Sequence, residues 1–593
     1  MTCVSSRVIR IHNSFGSIFR TESDISTVAG TAAAQQKSGV DAHRSVHQYM
    51  FEIENNVRYF EQGVGVGDVD VWSLDPRTGA RRRAVTRETD AIAVDRAVKA
   101  AHAARGALND RSSRANFLRN AAEGLAAERA SLAAEAEAET ALGLSRLHGE
   151  IDRTCGQLRA FADLVEAADF LDIIIDHADT DHVPPRPDLR RYKVGLGVVA
   201  VYSASNFPFA FSIAGGDTAS ALAAGCPVVV KAHPGHPATS ALTEAVVRAA
   251  AAESGLPADV VRVVHGFDAG VELIRHPLVA AAGFTGSQRG GRALFDAAAA
   301  RERPIPFHGE LGSLNPVVVT AAAAAERGGQ IGRTLAASVT LGHGQFCVKP
   351  GLVLVPEGPD GDALVTELAQ HLTTTPPAAL LDQRMLADFT AGIDARAKLP
   401  HVQTVVAPCL DTHAVSPALL SVPAAMASDP RHALLLEECF GPVTVVARYA
   451  ASSECTETLA RIPGALTATA QLSQQEAAEL DGNAAGLLRR LSAMVGRVVV
   501  NDWPTGVAVT AAQHHGGPYP ASTSTSTSVG STAIERWLRP VAYQNTPEPL
   551  LPQELQDANP MNLSRLVDGV AVGPGPQTQL DSNPHSNSDR TAR

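Results

Sequence analysis

Four short segments carry the side chains best suited to chemistry: Ser205-Asn206-Phe207-Pro208, Phe284-Thr285-Gly286-Ser287, Glu310-Leu311-Gly312 followed by Asn315-Pro316, and Gly344-Gln345-Phe346-Cys347. Each pairs a reactive or polar residue with glycine or proline. Each falls in a loop or at the end of an expected strand, where parallel α/β folds bind ligands. A thiol can attack an electrophile, a carboxylate can exchange a proton and an amide can donate hydrogen bonds. Plainer readings exist for every one. Most lone cysteines are small buried hydrophobes, and Cys347 follows a stretch with little charge. Glu310 can cap the following turn, Asn206 can be a turn residue ahead of Pro208, and the glycines can serve tight turns alone.

The elements that must position these residues read as α/β. Helical spacing runs through Asp90 to Leu142, with Val94, Val98 and Ala101 and then Phe117, Ala121 and Leu125 separated by charges. From Val198 the pattern changes to short apolar, β-branched runs: Val198 to Tyr202, Val228 to Val230, Val260 to Val264 broken by Arg262, and Val317 to Val319. Runs apolar on both faces belong in a buried parallel sheet. Alanine-rich helices such as Ala238 to Ser254, ended by Gly255 and Pro257, separate them, which predicts a doubly wound, Rossmann-like sheet. A second series, Leu352 to Val355, Val443 to Val446 and Val498 to Val500, interleaved with helices such as Gln475 to Met494, predicts a second α/β unit. The Ser/Thr run Ser522 to Ser528, bracketed by Gly516-Gly517-Pro518 and Gly530, reads as a further strand because Thr has good β-propensity.

With 593 residues the chain should hold two or more packed units. Lys and Arg number 50 against 62 Asp and Glu, so no bulk charge draws it to nucleic acid or a membrane surface, and a small-molecule partner is expected. Its seven cysteines, Cys3, Cys155, Cys226, Cys347, Cys409, Cys439 and Cys455, include no CxxC pair, which suggests a reducing compartment and no metal site. No apolar run approaches the roughly 20 residues of a membrane-spanning helix. The first 45 or so residues carry Arg7, Arg10 and Arg20 and no acid before Glu22, which fits a mitochondrial presequence, a disordered extension or a misplaced start codon. From Ala571 the chain is rich in Pro, Ser and Asn and reads as a loose tail.

Taken together and in this order, the four segments resemble the aldehyde dehydrogenase superfamily, over about Asn56 to Gly569. Within it the chain resembles the α-ketoglutarate semialdehyde (2,5-dioxopentanoate) dehydrogenases. The stretches Ala214 to Pro234, Gly516-Gly-Pro-Tyr-Pro-Ala and Thr527-Ser-Val-Gly carry that finer likeness. The resemblance implies an NAD(P)-binding domain over 48–172 and 194–309, a catalytic domain over 310–517 and oligomerisation elements at 173–193 and 518–556. A disordered extension at 1–47 and a disordered tail at 571–593 flank them.

It also implies roles. Cys347 would be the nucleophile that forms a thioester, with Asn206 and the Cys347 backbone N–H holding the oxyanion, and Glu310 would activate the water that hydrolyses it. The base argues against a CoA acceptor. Around Glu310 the sequence is apolar apart from His308, which would raise its pKa. Lys231 would reach the adenosine ribose or its phosphate, Gly286, Ser287 and Gly291 would open a helix near the pyrophosphate, and Glu438 and Phe440 would serve the nicotinamide end. This is no GxGxxG fingerprint. Many NAD-preferring relatives carry a Glu three positions after the lysine; here Pro234 stands there, near His233 and His236, so NADP is expected, with NAD as a second cofactor.

For the substrate, Phe207 and Phe346 would line the pocket and Arg159 would pair with a remote carboxylate. Two departures stand out: relatives commonly have an Arg shortly before Thr527, and Lys349 stands where they often have Asn, either depressing the Cys347 pKa or pointing to solvent. The leading expectation is oxidation of α-ketoglutarate semialdehyde by a cytoplasmic enzyme, or a mitochondrial one if 1–47 is a presequence. Dehydrogenases of fatty or other apolar aldehydes, and an inactive binding or structural homologue, are the alternatives. The stretches Ile173 to Lys193 and Ser522 to Tyr543 match the family's dimer- or tetramer-forming hairpin, which predicts a homo-oligomer.

Overall fold

The computed structural model describes residues 69–479 and 482–573. An antiparallel ribbon, β1 (Asp70–Leu74) and β2 (Arg81–Arg87), leads into helices α1 (Ala91–Ala104), α2 (Arg111–Ala127), α3 (Arg129–Thr140) and α4 (Leu144–Ala167). Helices α1 and α2 start where Asp90 accepts from the Ala93 amide and Asp110 from the Ser113 amide, satisfying N–H groups that a helix start leaves unpaired. In α4, Leu147, Ile151, Leu158, Phe161 and Val165 recur at helical spacing and join α2 residues Leu118, Ala121 and Leu125 in one buried cluster. Each fully buried Leu, Ile or Phe contributes about 1.5–3 kcal/mol. Two short strands follow, β3 (Ile174–Asp176) and β4 (Leu189–Gly195).

The next unit alternates strand and helix: β5 (Val198–Tyr202), α5 (Gly216–Ala223), β6 (Val228–Lys231), α6 (Pro237–Glu253), β7 (Val261–Val264), α7 (Phe267–Arg275), β8 (Val279–Thr285), α8 (Gln288–Ala299) and β9 (Phe307–Glu310). The strands pair in parallel in the order β7-β6-β5-β8-β9. Every residue of β5 is buried, as its uninterrupted apolar run requires in a sheet covered on both faces. The chain runs outward from β5 to β7 and returns on its other side with β8, so the sheet changes direction at β5. Ligand crevices of such sheets open beyond the carboxyl ends of the strands at that point. Asn206, Gly286 and Glu310 all stand there: past β5, just past β8 and at the end of β9.

A second sheet is built from β10 (Val317–Val319), which leads into helix α9 (Ala321–Thr340), then β11 (Leu352–Pro356), β13 (Gln403–Val406), β15 (Ala418–Pro423), β16 (Val443–Tyr449), β17 (Ala465–Gln471) and β18 (Val495–Val500). The small strands β12 (Ala378–Ala379) and β14 (Ala414–Val415) form a separate ribbon. The order is β13-β15-β16-β11-β10-β17-β18, parallel except at β13. A third sheet, β19-β4-β3-β20-β21, is completed by β19 (Leu538–Gln544), β20 (Arg565–Val567) and β21 (Val570–Val572). Strand β19 runs antiparallel to β4, with Leu538 opposite Gly195 and Gln544 opposite Leu189. Among the described residues no helix is long and apolar enough to cross a membrane.

Three expectations change. Ser522 to Ser528 is no strand: its one ladder contact is an isolated bridge between Ser522 and Glu310. Its hydroxyls bond elsewhere, Thr523 Oγ1 to the Phe307 carbonyl at 2.9 Å and Thr527 Oγ1 to the Val529 carbonyl at 2.8 Å, and such local side-chain bonding competes with a ladder. The single helix expected over Gln475 to Met494 is two, Gln474–Ala478 and Asn483–Ser492. The expected tail begins too early, since Ala571 lies inside β21, paired with β20. The extension at 1–47 and residues 574–593 lie outside the described residues.

Candidate active site

Cys347 sits between α9 and β11 on a loop held from several sides. A tight turn over Leu341–Gly344 places Gly342, His343 and Gly344 at φ of 54°, 55° and 68°. The non-glycine residue there, His343, is tied by Nε2 to the Val415 carbonyl at 2.7 Å. Asn206 Nδ2 donates to the Gln345 carbonyl at 2.9 Å. Asn315 Nδ2 donates to the carbonyls of Cys347 at 2.7 Å and Lys349 at 3.0 Å. The backbone around Cys347 is thereby fixed by two amides, and among the described residues Asn206 Nδ2 has one donor bond, leaving its second N–H open. The Cys347 thiol lies 3.5 Å from His515 Nε2. Burial, Glu438 and Glu310 push it up to about 12.

Glu310 ends β9 fully buried. One carboxylate oxygen accepts from Ser522 Oγ at 2.7 Å and the other pairs with Arg536 Nη2. Arg536, itself wholly buried, also reaches Asp217 Oδ1 at 3.1 Å, Ser526 Oγ at 3.1 Å and the Ser526 carbonyl at 3.1 Å. Two carboxylates thus share one guanidinium. Burial pushes Glu310 up to about 7 although Arg536 opposes it, and raises Asp217 as well. Its surroundings are therefore not apolar, as the neighbouring sequence suggested; burial is nonetheless the largest effect. His308, packed edge-on against Trp537, is pushed down to about 3 by burial and Arg536.

On the side toward α4, Phe207 meets Phe346 and Phe211 edge-on at 5.4 and 5.3 Å between centroids. The Arg146 guanidinium stacks on Phe346 and Phe207 at 4.7 and 5.0 Å, and Arg153 on Phe211 at 5.3 Å. Nη1 of Arg153 and Nη1 and Nε of Arg146 are buried without a hydrogen-bond partner. At the far end, Lys231 closes β6. Burial pushes its ammonium down to about 8, Glu88 opposing. Among the described residues it makes no ion pair, and it packs on the backbone of Gly270, where a Cβ would come within 3.5 Å of its Cγ.

Known proteins of this kind decide what the arrangement is. The model of the aldehyde dehydrogenase family matches residues 68–540. The chain belongs to the aldehyde dehydrogenase family. It is 46% identical over 468 residues to α-ketoglutaric semialdehyde dehydrogenase 2 of Azospirillum brasilense, a match spanning 78% of this chain and 88% of that one. It is 43% identical over 489 residues to the α-ketoglutaric semialdehyde dehydrogenase of Acinetobacter baylyi, spanning 80% and 91%. Its fold superposes on the NADP-dependent glyceraldehyde-3-phosphate dehydrogenase of Bacillus halodurans, solved with NADP, at TM-score 0.69 and 19% identity over 82% of this chain and 97% of that one. On the succinic semialdehyde dehydrogenase of Streptococcus pyogenes, solved with NADP+, the TM-score is 0.67 at 18% identity, over 80% and 100%. As an aldehyde dehydrogenase, the protein is an oxidoreductase acting on aldehydes.

The residues of this aldehyde dehydrogenase fit a nicotinamide dinucleotide. Lys231 offers an ammonium that, among the described residues, has no carboxylate within ion-pair distance, and α8 offers a helix start capped by Ser287, whose Oγ accepts from the Gly290 amide at 3.2 Å. Gly291 is buried so tightly that a Cβ would collide with Leu311. Glu438 lies over Gly312, where a Cβ would collide with its carboxylate, and accepts from the Ser313 amide. Burial pushes Glu438 up to about 7, Lys349 opposing. Phe440 is half-buried beside it in sequence. Of the two histidines near Pro234, His236 is turned inward, Nε2 to the Ala204 carbonyl at 2.9 Å, with His233 stacked on it.

Two expectations are corrected. Arg159 does not reach the site: it is exposed and pairs with Glu123 at 2.8 Å. Arg153 lies on the inner face with Arg146 and Glu150, and six residues turn a helix by roughly 240°, which carries Arg159 to the outside. Lys349 does not face solvent. It is buried, donating to the carbonyls of Val443 at 2.6 Å and Cys439 at 3.2 Å, and its charge acts on Glu438. His515, Arg536, Asp217 and Arg153 went unmarked by sequence reasoning. Only Arg153 leaves a local signal, the stripe Arg146, Glu150, Arg153 and Gln157 at helical spacing.

Proposed function

We propose that this aldehyde dehydrogenase oxidises α-ketoglutarate semialdehyde to α-ketoglutarate through a thioester on Cys347, with NADP, and NAD as well, accepting the hydride. The observation that carries the substrate is the pair of stacked guanidiniums on α4. Arg153 and Arg146 keep buried N–H groups without partners, and the keto-acid end of this substrate supplies acceptors for them. An apolar chain would leave these donors unsatisfied, at a cost of about 1–3 kcal/mol for each. The two α-ketoglutaric semialdehyde dehydrogenases at 46% and 43% identity support the same substrate.

In this reading the Cys347 sulfur adds to the aldehyde carbon while Phe207 and Phe346 flank the chain. The free N–H of Asn206 and the Cys347 amide take the developing oxyanion, and losing one such donor costs about 3 kcal/mol. A nicotinamide dinucleotide, when bound, would supply the hydride acceptor that the conversion of the adduct to a thioester requires. Lys231, the α8 start with Gly286, Ser287 and Gly291, and Glu438 with Phe440 hold the dinucleotide. Glu310, once ionised, takes a proton from water, the hydroxide adds to the thioester carbon, and the acid leaves as Cys347 is released. The absence of an acid at Pro234 supports NADP; Glu88, whose field reaches Lys231, keeps NAD competitive. All six cysteines among the described residues are free, which suits a reducing cytoplasm. Edge strand β19 suits pairing in a homo-oligomer, to be read by light scattering.

The test is a panel of α-ketoglutarate semialdehyde, succinic semialdehyde and hexanal with each cofactor. The keto-acid aldehyde should give the highest kcat/KM. Arg153→Gln should lower it about 100-fold, the worth of a charge-assisted pair of about 3 kcal/mol, with hexanal barely affected and Arg159→Gln neutral. Preference for hexanal, or equal losses in Arg153→Gln and Arg159→Gln, would reject the reading.

A further inference from the structure

We propose that His515 is a catalytic residue of this enzyme: its neutral imidazole donates from Nε2 to the Cys347 sulfur and holds it as the attacking thiolate. The proposal rests on the thioester reading above. The contact is direct, 3.5 Å from Nε2 to Sγ, and the ring is held for it. The His515 amide donates to Thr527 Oγ1 at 2.8 Å, its carbonyl accepts from the Ser528 amide at 2.9 Å, and the ring tilts against Phe211 at 6.3 Å.

Burial and the surrounding charges decide between donor and base. Burial, joined by Arg497, Arg153, Arg536 and His514 around the ring, pushes the His515 imidazole down to about 3. Such a ring does not store the thiol proton near neutral pH; it stays neutral and offers an N–H. Around Cys347 the balance is opposite, with burial, Glu438 and Glu310 disfavouring the thiolate and Arg497 favouring it. When the thiol ionises, its proton goes to solvent water, the electron pair stays on sulfur, and the imidazole keeps its own proton on Nε2. A hydrogen bond to a charged acceptor is worth about one to two pKa units.

The experiment is alkylation of full-length enzyme by iodoacetamide, read at the Cys347 peptide by mass spectrometry across pH, with the pre-steady-state burst of reduced nicotinamide in parallel. His515→Phe removes the donor. The thiolate fraction below its midpoint falls about 10- to 100-fold, partly offset by greater nucleophilicity, so alkylation should slow roughly 3- to 10-fold. The burst should slow with it. His515→Gln, which keeps an N–H and cannot titrate, should retain most of both rates; if His515→Phe does not fold, His515→Met takes its place. Unchanged alkylation in the variant without a donor, or a Gln variant as slow as it, overturns the proposal. Cys347→Ser must abolish the burst; a burst that survives overturns the thioester reading instead.

Discussion

Asp217→Asn tests the carboxylate pair that flanks Arg536. In the wild type, one guanidinium serves both Glu310 and Asp217, both buried, and Glu310 is pushed up to about 7. Two unit charges about 7 Å apart on either side of a guanidinium interact by about 2 kcal/mol at an effective dielectric of about 20, or between one and two pKa units. An amide keeps the acceptor for Arg536 and removes the charge, so the Glu310 pKa should fall towards 6 or below. The rising limb of thioester hydrolysis, measured in single turnover from pH 5 to 9, should move to lower pH by at least one unit while the burst rate at pH 8 stays put. Stability carries the same sign. A carboxylate raised from 4.5 to about 7 in the fold carries no penalty below pH 4.5, is penalised as the unfolded chain ionises, and reaches a constant penalty of about 3 kcal/mol above pH 7. The melting temperature of Asp217→Asn should therefore drop less between pH 5 and pH 8 than that of the wild type. A limb that stays at 7 or moves up in a folded variant would refute the shared-guanidinium argument.

Glu88→Gln removes the carboxylate whose field acts on Lys231, and should raise the NADP-to-NAD ratio of kcat/KM several-fold, mainly through KM; an unchanged ratio would mean that Glu88 lies outside the adenosine end. Lys349→Met leaves two buried carbonyls without a donor and Glu438 without its cation. It should lower the melting temperature and raise KM for the dinucleotide at neutral pH, with the increase smaller at high pH, where Glu438 ionises regardless.

The parallel sheets were legible because burial on both faces forces continuous apolar runs, and β5, β6, β10 and β11 have them. Cys347, Glu310 and Asn206 were legible for a different reason: each lies near a glycine or proline in a loop or at a strand end, and the order of their segments along the chain resembles the family's. Ser522 to Ser528 misled because Ser and Thr bond to nearby groups as readily as they form strands, and only the folded chain shows Ser522 bonded to Glu310. Arg153 was within reach, since the helical period places it with Arg146 and Glu150, whereas Arg159, the residue singled out, falls on the outer face. His515 and Arg536 were beyond reach. Their partners lie 168 and 226 residues away, and nothing local distinguishes a histidine that meets a thiol from one that meets water.

The charges sort by function around Cys347. Glu310 and Glu438, which the proposed reading assigns to water activation and to the dinucleotide, are each opposed by a buried cation, Arg536 or Lys349, and each is pushed up to about 7 by burial. On the α4 side the balance reverses: Arg146 and Arg153 face one carboxylate, Glu150, whose Oε1 accepts from the Phe209 and Ala210 amides at 2.8 and 2.9 Å while its Oε2 is buried without a hydrogen-bond partner. A surplus of buried cation is costly unless a ligand completes it. In the proposed reading, a keto-acid aldehyde brings the missing anion to the guanidiniums and the electrophilic carbon to Cys347 in the same act. The charge that recognises the substrate is then the charge that relieves the site, and an uncharged aldehyde of equal length gains the pocket without that relief.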